Sequence, residues 1–105
     1  MNKETLIKAE RERNEAIYAK IKEYIASGIE NSEKIQSAND TLDLLSRYEA
    51  LRACEALCEL NLWGRVVTVL PTLQYPDIDP TAKNIKDWLS IEIKSANNEL
   101  NRYIQ

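Results

Sequence analysis

Cys54 and Cys58, with Glu55 and Glu59 one residue behind them, are the residues here whose types and spacing could do chemistry. A thiolate pair can hold a soft metal or exchange disulfides. Carboxylates one helical turn apart can hold a cation or act as acid and base. The ligand count works against a metal. A structural zinc site takes four Cys or His ligands, and the chain has two Cys and no His. Only a dimer joining two pairs across an interface would complete such a site. Redox dithiols use C-x-x-C, whereas this spacing is C-x-x-x-C. Side chains four apart on a helix stack side by side, a poor geometry for a disulfide. Cys54 and Cys58 are therefore expected in the core, with Glu55 and Glu59 on a solvated wedge beside Arg52.

Asp77 and Asp79 form a D-x-D, but Pro80 follows where a calcium loop needs a further ligand or a Gly. Glu92 falls within the apolar face of the last expected helix, between Trp88 and Ala96. It is expected to pair with an Arg or Lys of a neighbouring helix. Left buried and unpaired, it would instead be a functional carboxylate. No nucleophile–base pair can be assembled from these residues, so the expectation is a non-enzymatic protein without metal or cofactor.

The elements that would position these groups are helices. Two Gly and three Pro in 105 residues, with abundant Ala, Leu, Ile, Glu and Lys, favour helix throughout. The first helix is expected from Lys3 to Ala26, with Ser27-Gly28 as its stop. Leu6, Ile7, Ile17, Ile21, Tyr24 and Ile25 share one face, but Glu10 and Asn14 interrupt it and Arg13 sits at its edge. Either the helix outruns its neighbours and leaves Leu6 and Ile7 exposed for a partner, or Glu10, Arg13 and Asn14 form an internal polar layer. The first is the working expectation.

A second helix is expected over Ser32–Asn61. Ile35, Ala38, Leu42 and Leu45 form one stripe and Leu44, Tyr48, Leu51, Cys58 and Leu62 another, rotated from the first. A bend or restart near Asn39-Asp40 would reconcile them, with either residue as cap. Val66, Val67, Thr68 and Val69 would suit a strand pairing with another chain. Yet Trp63, Val66, Val67, Leu70 and Leu73 share one helical face, which predicts a short helix. Pro71, Pro76 and Pro80 then stiffen a connector displaying Tyr75 and Ile78. The last helix is expected from an Asp79 cap with Pro80 at its first position to about Tyr103, with Asn97 and Asn101 opposite its apolar face. The fold class expected is all-α: an antiparallel helical bundle of three long helices plus one short helix, in one domain of residues 1–105.

Two local stretches resemble known families. "ELNLWGRVVTVL" is similar to the turn and second helix of a helix-turn-helix, which would imply nucleic-acid binding. Only Arg65 and Thr68 precede Pro71 to read bases, and an acidic helix comes before them, so this is disfavoured. "QYPDIDPTAKNIKDW", about 15 of 105 residues, resembles the end of DNase-type colicin immunity proteins. Those are small acidic helical bundles that inhibit a basic nuclease, and the resemblance implies an acidic surface for a basic partner.

Net charge is −3, and residues 29–62 carry seven acidic and three basic side chains. Such a chain is a poor general ligand for phosphate backbones. No apolar run approaches the ~20 residues of a membrane span, and no signal-peptide core is visible. A cytoplasmic location with reduced thiols follows as the expectation. The function expected is binding to another protein, one with a basic patch, as adaptor, inhibitor or accessory factor. The candidate surfaces are Leu6 and Ile7; Arg52, Glu55 and Glu59; and Tyr75, Asp77, Ile78 and Asp79. The alternatives are a self-assembling subunit, such as a homo-dimer, and the nucleic-acid binder.

Overall fold

The computed structural model describes residues 2–28 and 31–104. These residues form four α-helices and no strand: α1 (Lys3–Ala26), α2 (Ser32–Glu59), α3 (Trp63–Val69) and α4 (Ala82–Asn101). Two 3₁₀ turns, Leu70–Leu73 and Arg102–Ile104, follow α3 and α4. The all-α expectation holds. No helix among the described residues is long and apolar enough to cross a membrane.

The chain divides into two compact units, Met1–Leu45 with Asn97–Gln105, and Ser46–Ala96. In the first, α1 is capped where the Asn2 carboxamide accepts from Thr5 N at 2.8 Å. It stops at Ser27, followed by Gly28 with φ +72°, a left-handed geometry that glycine adopts without penalty. Asn31 caps α2 by accepting from Glu33 N at 3.0 Å. The unit buries Ile17, Ile21, Ala38, Leu45 and Leu100, together with Glu10, Asn14 and Thr41.

In the second unit, α2 closes with two crossed bonds, Leu62 N to Leu57 O and Asn61 N to Cys58 O, and Asn61 takes a left-handed φ of 59°. The same closure recurs after the first 3₁₀ turn, with Gln74 left-handed. Pro71 stands at the start of that turn, where no N–H is needed. The core holds Tyr48, Leu51, Cys54, Cys58, Val66, Leu70, Leu73, Ile85, Leu89, Ile93 and Ala96.

Several sequence expectations change. α2 runs unbroken through Asn39-Asp40. The buried positions 38, 41, 45, 48, 51, 54 and 58 form one drifting stripe, so no restart is required. Thr41 is its missing member, its own hydroxyl donor paired with Ser37 O at 2.8 Å. Residues 63–69 are helical rather than a strand, but Val67 is exposed, because the buried face is only Val66, Leu70 and Leu73. α4 starts at Ala82, and its cap is Thr81, whose hydroxyl accepts from Asn84 N at 3.1 Å, not Asp79. Pro80 therefore lies before the helix.

Candidate functional site

The connector between the first 3₁₀ turn and α4 is held by its own backbone. The Tyr75 ring meets Trp88 edge-on, with centroids 5.2 Å apart and planes at 60°. The carbonyl oxygen of Asp79 accepts from Thr81 N at 2.8 Å, Asn84 Nδ2 at 3.1 Å and Tyr75 Oη at 3.2 Å. Ile78 N donates to Pro76 O at 2.8 Å. Between these anchors Asp77, Ile78 and Asp79 are exposed, Ile78 at 50%. The loop thus holds an exposed apolar side chain between two exposed carboxylates.

The expected Arg52–Glu55–Glu59 wedge is only partly a surface. The Arg52 side chain is 9% exposed; its Nη1 donates to Glu55 Oε1 at 2.9 Å and its Nε to Tyr48 Oη at 3.2 Å. Its guanidinium also lies 5.5 Å from the centre of the Tyr48 ring. Tyr48 is fully buried, and a buried phenol needs a hydrogen-bond partner; Arg52, one turn on, supplies it. Arg52 is therefore a structural cation, and the exposed part of the wedge is Glu59 with part of Glu55.

The polar layer of α1 is internal. Glu10 and Asn14 are buried. Arg13 donates to Asn14 Oδ1 through Nε and Nη2, at 3.1 and 3.0 Å. Nη2 also reaches Asn97 Oδ1 and Nη1 reaches Asn101 Oδ1, both at 2.8 Å. Asn97 Nδ2 in turn donates to Glu10 Oε1 at 2.9 Å. Asn97 and Asn101 thus serve α1, although the apolar wheel of α4 sets them aside as its outer face. The signal for them was the polar layer itself, which requires donors and acceptors at matching spacing on another helix. The two possibilities for α1 were not exclusive: Leu6 is exposed and Ile7 half-buried, while the layer pairs Glu10, Arg13 and the Asn14 Oδ1 and leaves Asn14 Nδ2 buried without a hydrogen-bond partner among the described residues.

Glu92 stands apart from that layer. Its Oε2 lies 3.2 Å from Arg47 Nη2, both side chains about one-third exposed, and Arg47 Nη1 also donates to Leu73 O at 3.1 Å. It is the paired carboxylate expected from its position.

Cys54 and Cys58 are free and buried. Burial pushes the Cys54 thiol up to about 11, and the neighbouring Cys58 adds to the shift. Burial also raises Cys58. Neutral, enclosed thiols are poor nucleophiles and poor metal ligands. In the helix-turn-helix-like stretch Arg65 and Thr68 are exposed, but the Thr68 hydroxyl donates to Gly64 O at 2.9 Å.

No protein-family model matches this sequence, and comparisons with curated proteins and with solved structures find no match.

Proposed function

We propose that this chain is a small, non-enzymatic, cytoplasmic protein, its helices packed antiparallel, that acts by binding another protein. The contact is the acidic, apolar loop Tyr75–Asp79, and the partner presents an apolar cleft rimmed by basic side chains. The protein is then an adaptor, inhibitor or accessory factor. The observation that supports this reading best is Ile78, half exposed between Asp77 and Asp79 on a loop tied down at both ends. Rigid loops bind with a smaller ordering cost, and flanking charge speeds encounter with a basic surface. The test is retention of a captured partner by Ile78→Ala and by Asp77→Lys/Asp79→Lys. Each should weaken the complex about ten-fold or more, equivalent to about 1.4 kcal/mol, and the native complex should loosen with salt.

Self-assembly is the second reading, favoured by the exposure of Ile91 at 66% and Leu6 at 45%. Light scattering across a concentration series decides it: a mass that grows with concentration and falls back in Ile91→Lys supports assembly.

A further inference from the structure

A second apolar surface lies along α1 and α2 in the first unit, and its charge is opposite to that of the 75–79 loop. A hollow of about 220 Å³ is lined by Ile17, Ile21 and Ala38, with Tyr103 and the amines Lys20 and Lys34 also on its wall. A second hollow of about 280 Å³ shares Tyr24 and Ala38 with the first and adds Ile25 and Ile35. Ile25 and Ile35 are 58% and 44% exposed, so apolar surface continues outside the hollows. Among the described residues no carboxylate lines either hollow. The Lys34 ammonium lies 5.8 Å from the centre of the Tyr24 ring, which holds a positive charge at the wall the hollows share. Thr41, at the buried side, has already committed its hydroxyl proton to Ser37 O.

We infer that this double hollow is a docking site for an acidic, amphipathic segment of a partner protein, one apolar side chain entering each hollow and its carboxylates meeting Lys20 and Lys34. Two adjoining hollows with a common wall suit apolar side chains repeating along one face of a helix. A small amphiphile would fill one hollow and leave Ile25 and Ile35 in water, whereas a peptide covers both. The charge match gives the direction: the amines of Lys20 and Lys34 on the lining select acidic residues and repel basic ones. The site stands independently of the 75–79 loop, and the two surfaces would recognise partners of opposite charge.

The test uses the full chain and a displayed library of random 16-residue peptides as the probe. The expected result is enrichment of peptides with two large apolar residues three or four apart and flanking Asp or Glu. Lys20→Glu/Lys34→Glu, both surface changes, should weaken the best peptide ten-fold or more. A peptide with its acids changed to Lys should recover binding to that variant, and Asp77→Lys/Asp79→Lys should leave the original affinity unchanged. Failure to enrich any peptide, enrichment of basic peptides, or affinity indifferent to the Lys20/Lys34 reversal would overturn the inference. So would a dimer of the chain alone that the same reversal dissociates, since a second copy would then be the occupant.

Discussion

Arg52 and Arg13 show how a single polar side chain can be assigned to the wrong side of a helix by pattern alone. Both read as surface or edge residues, and both turn inward because a buried group needs them: the Tyr48 hydroxyl in one case, the Asn14 carboxamide in the other. Arg13→Ala removes the bonds to Asn14, Asn97 and Asn101. Denaturant unfolding should show a loss of about 2 kcal/mol, above the cost of an ordinary surface change. The thiols yield a second prediction at this scale. At pH 8 a thiol reagent should label neither cysteine in the native protein within the time that it labels both in denaturant. With Cys54 raised from 9.0 to about 11 in the fold, the unfolded thiol loses its proton first. The Cys54 contribution to stability is therefore constant below about pH 9 and falls as pH rises toward 11, then levels off. Cys54→Ala should flatten that part of the stability–pH curve.

At the scale of elements, most of the helix map is legible in the sequence. α1 runs over the expected Lys3–Ala26, and the Ser27-Gly28 stop is the one observed. Of the apolar face expected for α4, Ile85, Leu89, Ile93, Ala96 and Leu100 are buried, whereas Trp88 is half-buried and Tyr103 exposed. Failures arise where hydrophobicity is a poor proxy for position. Thr41 is 2% exposed yet polar by type, and leaving it out broke the α2 stripe into two. At the start of α4, Asp79 and Thr81 are both good caps by residue type, and backbone geometry chose the threonine. Asp79 contributes its carbonyl oxygen to the loop instead. Thr81→Ala should therefore cost about 1 kcal/mol in thermal or denaturant unfolding. Asp79→Ala, which keeps the backbone carbonyl, should cost less than about 0.5 kcal/mol. The reverse order would show that α4 begins at Pro80 in solution.

For the whole molecule, the sequence pointed to candidate surfaces, and the structure shows which of their side chains are exposed. Arg52 divides its donors between Tyr48 and Glu55 and is largely withdrawn from the surface; Leu6 stays exposed; the 75–79 loop gains an ordered frame that composition could not show. The apolar hollows of α1 and α2 were missed because Ile25 and Ile35 read as ordinary members of core stripes, and only tertiary packing leaves them outside. The claim that matters most is that the loop binds a protein. Its most direct test is quantitative capture from native lysate, with nuclease treatment, comparing the wild-type chain with the Asp77→Lys/Ile78→Ala/Asp79→Lys triple variant of unchanged helicity. Proteins enriched by the wild type and depleted ten-fold or more by the variant are the predicted result. Equal recovery of the same proteins by both chains would contradict it.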